Sequence, residues 1–113
     1  MSIDLNKIKS AIKSKRVEWK VHSLKWILER NISRANIYKV LVNSEMIEMY
    51  PDDDPYPSFL MLGFVNKRPI HVVAAYNKND DFVSIITTYE PDPEIFTSDY
   101  KIRRKWWNTQ WII

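Results

Sequence analysis

Between Ser58 and Tyr89 the chain passes through three nearly apolar stretches, Ser58–Val65, Ile70–Tyr76 and Phe82–Tyr89, parted only by short polar segments. Runs of seven or eight residues rich in β-branched and aromatic side chains read as strands, and turns this short make neighbours antiparallel. The runs do not alternate polar with apolar, so both faces of the sheet must be covered. Asn66-Lys67-Arg68 is expected to form the first turn and Asn77–Asp81 the second. Gly63, the single glycine, lies inside the first run, where glycine marks a bulge or a close backbone approach. Upstream, Glu45–Tyr50 is strand-like, and Pro51, Pro55 and Pro57 keep the next loop out of regular structure. A sheet of three or four antiparallel strands is expected within residues 45–90.

Residues 1–44 read mainly as helix. Leu5, Ile8 and Ile12 share a stripe behind an Asp4 cap, and Ile3 with Ile8 suits a hydrophobic staple. From Val17 to His22 the period changes to two, which predicts a short strand. A helix from about Leu24 to Arg30, with Leu24, Ile27 and Leu28 inward, is stopped by Asn31 in a left-handed conformation. Ser33 caps a further helix running to about Asn43. The expected fold is α+β: helices packed on one side of a small antiparallel sheet, in one domain of 113 residues, ending in a basic, Trp-rich tail from residue 100.

Composition removes several functions. One glycine leaves no room for a Walker or dinucleotide loop. Without cysteine there is no disulfide framework, thiolate nucleophile or Cys-based zinc site. Asp52, Asp53 and Asp54 lack the spacing of a calcium loop, so neither metal nor cofactor is expected. No apolar run reaches membrane-spanning length and the first residues do not resemble a secretory leader, so a cytoplasmic protein without membrane contact is expected. Charge is uneven: residues 1–44 hold ten bases and three acids, residues 45–99 three bases and eleven acids, and residues 100–113 four bases. Two basic ends suit a polyanion, though opposite charges meeting across the protein's own surface fit equally.

His71 interrupts an apolar strand, so it points into a core or a pocket. If Tyr76 pairs with Phe82, His71 faces Thr87, and Tyr89 extends along the same face. Such a cluster could move protons near neutral pH, whereas a buried histidine bonded to a hydroxyl fits the same residues. A His71 sealed away from any cavity would count against catalysis, and His71→Phe should then be nearly neutral or stabilising. His22, before a helix start and near Lys20, Lys25 and Arg30, could meet a phosphate; a capping or surface role fits it as well. Metal-free RNA cleavage needs a base for the 2′-OH, an acid for the 5′-oxygen and cations for the phosphorane.

The blocks Glu45-Met46-Ile47-Glu48-Met49-Tyr50-Pro51, Arg68-Pro69-Ile70-His71-Val72-Val73 and Ile85-Ile86-Thr87-Thr88-Tyr89-Glu90-Pro91-Asp92-Pro93, with His22 and Glu29-Arg30-Asn31-Ile32 before them, resemble the family called domain of unknown function 4258. The resemblance spans about residues 17–104, with Asn31 standing where glycine is usual. It implies a RelE/ParE-like fold of the barnase–colicin–RelE group and an endoribonuclease toxin acting on RNA, free or ribosome-bound, with an antitoxin as protein partner. By position it implies His22, His71, Thr87 and Tyr89 as catalytic residues and Arg30 and Arg103 as substrate contacts. Arg104, beside Arg103, is expected on the rim of the same cleft.

The alternative is a binding module without catalysis, for nucleic acid or protein, using the basic ends and Trp19, Trp26, Trp106, Trp107 and Trp111 for stacking. In the tail, Trp107 and Trp111 are expected to dock on the domain or on a second copy of it. Burying a ring of roughly 150–250 Å² at about 25 cal/mol per Å² outweighs stacking it in solvent.

Overall fold

The computed structural model describes residues 4–19 and 28–104, and within them both complete helices begin where a side chain caps them. Asp4 accepts the Lys7 backbone N–H at 3.2 Å and opens α1, Leu5–Lys13. Ser33 accepts the Asn36 N–H at 3.0 Å and opens α2, Arg34–Asn43. Asn31 ends the helical residues 28–30 with φ 53, the left-handed value that asparagine tolerates. Leu28, expected inward, is 84% exposed, whereas Ile32 is fully buried in the core. Residues 1–3, 20–27 and 105–113 lie outside the described part, and with them Ile3, His22, Leu24, Ile27, four of the five tryptophans and the expected tail docking.

Among the described residues the sheet has five strands: β1 Val17–Trp19, β2 Glu45–Tyr50, β3 Ser58–Val65, β4 Arg68–Asn77 and β5 Phe82–Tyr89. Their order is β1-β5-β4-β3-β2, antiparallel throughout except that β1 runs parallel to β5. The expected three or four antiparallel strands are thus corrected to a mixed five. The extra partner is β1, which joins through three residue pairs, Val17↔Val83 to Trp19↔Ile85, after the rest of the fold has intervened. A parallel pairing so distant leaves no local signal. Asn66 and Lys67, at φ 51 and 69, make a two-residue hairpin turn. Arg68 is therefore a strand residue rather than a turn residue.

Strand alternation sorts the sheet into two faces. Phe59, Met61, Ile70, Val72, Ala74, Val83 and Ile85 meet Ile8 and Ile12 of α1 and Ile37, Val40 and Leu41 of α2 in one buried core. Gly63 also lies on this face: a Cβ there would stand 2.9 Å from Val40 Cγ1 and 3.0 Å from Val40 Cα, so the glycine admits the α2 backbone. The opposite face carries Leu60, Leu62 and His71, all buried. It is crossed by a strap, residues 91–104, which doubles back through a Phe96↔Arg103 bridge and hydrogen bonds from the Thr97 N–H to the Ile102 carbonyl and from the Arg104 N–H to the Ile95 carbonyl. No helix among the described residues is long and apolar enough to cross a membrane.

Candidate functional site beneath the strap

Two departures from a simple hairpin decide which side chains meet on the strap face. The β4–β5 hairpin closes at Asn77↔Phe82, one residue beyond the expected Tyr76–Phe82 pair. A bulge at Ile86 then shifts the register again, between Ala74↔Ile85 and Val73↔Thr87. Two single shifts restore the facing but change the partner: His71 lies opposite Tyr89, not Thr87. Thr87 sits further along, opposite Val73. Thr88 is buried, and its hydroxyl donates to the His71 carbonyl at 3.1 Å.

His71 is fully buried, and both its ring nitrogens are engaged. Nε2 lies 2.8 Å from the Tyr100 carbonyl oxygen, which can only accept, so Nε2 carries the proton. Nδ1 of the neutral ring then accepts the Tyr89 hydroxyl at 3.3 Å. The Phe96 ring stands edge-on to the imidazole with centroids 4.5 Å apart. Burial lowers the His71 pKa from 6.5 to about 4, against the Tyr100 hydrogen bond that favours the charged form. The imidazole is neutral at pH 7 and buried, the core rather than the pocket of the two placements expected for it.

Beside it stands a group that sequence reading missed. Glu48 and Tyr50, two apart on β2, share a face, and the Tyr50 hydroxyl donates to the Glu48 carboxylate. Arg103 from the strap donates through Nη2 to Glu48 at 3.1 Å and reaches the Tyr50 oxygen at 3.5 Å, while its guanidinium lies 4.9 Å over the Phe96 ring. Only 9% of the Arg103 side chain and 22% of the Glu48 side chain remain exposed. Burial, then the hydrogen bond to Glu48, push the Tyr50 phenol up to about 12. Burial also raises Tyr89, with the Arg103 charge pulling the other way. Burial opposes the Arg103 charge, but Tyr50 and Glu48 outweigh it and hold the guanidinium's pKa above its usual value. A carboxylate, a guanidinium, two phenols and an imidazole thus converge beneath one strap.

The other expected site residues are dispersed around it. Arg30 donates to the Thr88 carbonyl at 2.6 Å and to the Thr87 hydroxyl at 3.4 Å, on the part of β5 that follows its pairing with Val17–Trp19. Arg104 donates to the Pro93 carbonyl at 2.8 Å, within the strap. His22 lies outside the described residues. Arg68, also unforeseen, donates to the Arg30 and Asn31 carbonyls at 2.9 and 2.8 Å and to Glu90 at 2.5 Å. Its place just before Pro69, in the Arg-Pro-Ile-His block, was the available signal. Among the described residues no three potential ligands gather into a metal site, and Asp53 instead accepts the Ser58 hydroxyl.

No curated protein and no solved structure matches the chain. A family model for a domain of unknown function (DUF4258) matches residues 19–90, from the end of β1 to the residue after β5. It includes Arg30, Glu48, Tyr50, Arg68, His71 and Tyr89 and stops before the strap that brings Tyr100 and Arg103, short of the expected reach to residue 104. By this match over well more than half its length, the chain belongs to the DUF4258 family.

Proposed function

We propose that the chain is a metal-independent endoribonuclease of the toxin kind, RelE-like in architecture, with the strap-face cluster as its active site. The observation that carries this reading is the Glu48–Tyr50–Arg103 group beside Tyr89 and His71. It supplies each element that metal-free RNA cleavage needs. Glu48, the more open of the two charged members, takes the proton from a ribose 2′-OH. The 2′-oxygen bonds to phosphorus, Arg103 stabilises the phosphorane, and the P–O5′ bond breaks as Tyr89 turns its O–H away from His71 Nδ1 and gives that proton to the leaving oxygen. Arg103 exchanges its contact with Glu48 for the phosphate on the way. His71 is a positioning residue, holding the Tyr89 hydroxyl through Nδ1. Arg30 and Thr87 meet beside this cluster, toward the end of β5, and an antitoxin would cover this face.

A second reading is favoured by one observation: both His71 nitrogens and the Arg103 charge are already satisfied inside the protein. In it the cluster only pins the strap, and the chain binds RNA without cleaving it. Incubation of RNA, free or on ribosomes, with the wild type in EDTA separates the two. Cleavage that falls by about 10²-fold or more in Glu48→Gln and in Tyr89→Phe supports the enzyme. Tight binding without cleavage supports the module, and equal cleavage by both variants removes this site from the chemistry.

A further inference from the structure

At the corner where α2 runs into β2 lies a half-open cleft of about 470 Å³, lined by Lys39, Asn43, Ser44, Glu45, Phe64 and Lys101 among others. Its volume falls in the range of small-molecule sites. Four features distinguish it from an ordinary surface dent. The Ser44 hydroxyl oxygen is buried with no hydrogen-bond partner among the described residues. Lys39 forms no ion pair with the described residues, whereas Lys101 is held 3.2 Å from Glu45. Phe64 leaves 56% of its surface exposed, with the Tyr100 ring edge-on to it at 6.1 Å between centroids. Finally, Leu62, which also lines the cleft, pairs with His71 on one side and Glu45 on the other, so the cleft adjoins the strap-face cluster.

We infer that this cleft is a subsite for one nucleotide of single-stranded RNA, with the base against Phe64 and the phosphates on the two lysines. An exposed aromatic ring at the wall of a cleft is a stacking platform for a base. The charge arrangement fixes the orientation. The cleft lies at the carboxyl end of α2, the negative end of its dipole, and Glu45 is beside it. A phosphate seated deep there is repelled, while a base bringing N–H donors is not. The Ser44 hydroxyl and the Asn43 amide then face the base edge, and Lys39 and Lys101 take phosphates at the rim. The inference rests on RNA as the substrate class proposed above and adds where a base is held.

A fluorescently labelled hexaribonucleotide with 2′-O-methyl groups tests it, because this probe binds but cannot be cleaved through a 2′-OH. With the full chain, Phe64→Ala should weaken binding about tenfold, since stacking one base is worth roughly five- to a hundredfold. Lys39→Ala should lower the salt slope by about 0.7. Amide shifts on titration should centre on residues 39, 43–45, 62–64 and 101. Phe64 and Lys39 lie outside the core, so thermal melts should show both variants folded. Binding unchanged in both variants, or shifts confined elsewhere, overturns the subsite. Binding with these signatures but no cleavage of unmodified RNA keeps the subsite and removes the enzyme; cleavage indifferent to both substitutions does the reverse.

Discussion

The His71 Nε2–H and the Tyr100 carbonyl oxygen meet at 2.8 Å, joining the middle strand of the sheet to the strap that covers it. Tyr100 is held at φ 65, which a bulky residue rarely adopts, so the strap reaches this bond at some conformational cost. The same bond sets the imidazole tautomer and thereby makes Tyr89 the donor to Nδ1.

Stability should depend on pH through this ring. His71 titrates near 4 when folded and near 6.5 when unfolded, chiefly because burial disfavours its charged form. Between those values the unfolded chain binds more protons, so stability rises with pH there and is lost as pH falls from about 6.5 through 4. At about 1.36 kcal/mol per pKa unit the loss is on the order of 3 kcal/mol. Urea midpoints of the wild type at pH values of about 7, 5.5 and 4.5 should decline across this window, and a flat profile would refute it.

His71→Phe should abolish that decline and also cost stability at pH 7. A sealed apolar ring looks nearly neutral from sequence, but the substitution leaves the Tyr100 carbonyl and the Tyr89 hydroxyl without their partner. Unsatisfied buried polar groups cost about 1–3 kcal/mol. The expected result is a variant less stable than wild type at pH 7 by about 1–2 kcal/mol, with the order reversing before pH 4, where the wild type has lost more than that.

Gly63→Ala tests the packing of α2 on the sheet. The new methyl would press on the main chain of Val40 as well as on its side chain, and backbone cannot rotate away. We expect a loss of about 1–3 kcal/mol, as for other overpacked cores. Adding Val40→Ala should recover only part of it, because the methyl would still stand 3.0 Å from the α2 backbone. Full recovery in the double variant would place the strain in the side chain alone.

These cases show what was legible in the residues. Caps, turns and apolar runs are local, and Asp4, Ser33 and Asn31 act where their chemistry suggests. Gly63 signalled either a bulge or a close approach; it is the close approach, while the bulges fall between Met46 and Glu48 and at Ile86, with no glycine at either. The Ile86 bulge and the shifted hairpin closure are why Thr87 was expected where Tyr89 stands. Glu48 and Tyr50 were hidden for a different reason: their partner Arg103 is 55 residues from Glu48, and only the strap's return brings them together.

Arg68 should prove structural. It ties the carbonyls of Arg30 and Asn31 to Glu90, so it fastens the helical turn before α2 to the end of β5. Three donors in a planar fork make these contacts, which a lysine ammonium cannot reproduce together. Arg68→Lys is expected to cost about 1 kcal/mol or more and to speed amide exchange around Ile32 and Glu90. Unchanged exchange at both would show the clamp to be idle.

The Arg103–Glu48 pair gives the sharpest test, because its burial reverses an expectation. Read as sequence, Arg103 is a substrate contact and Arg104 stands beside it on the rim of the same cleft. In the fold, Arg103 keeps only 9% of its side chain exposed and is committed to Glu48, Tyr50 and the Phe96 ring. Removing it leaves a largely buried carboxylate unpaired, which costs several kcal/mol in full burial and about 2–3 kcal/mol here, given the 22% exposure of Glu48. Arg103→Ala should therefore lower the denaturation midpoint, and so should Glu48→Ala. The two losses should not add: the double variant should lose less than their sum by about 1–2 kcal/mol, the coupling of a contacting pair. If Arg103→Ala instead unfolds like the wild type and only reduces the salt slope of RNA binding, the arginine is a phosphate contact at the surface and the ion pair holds nothing.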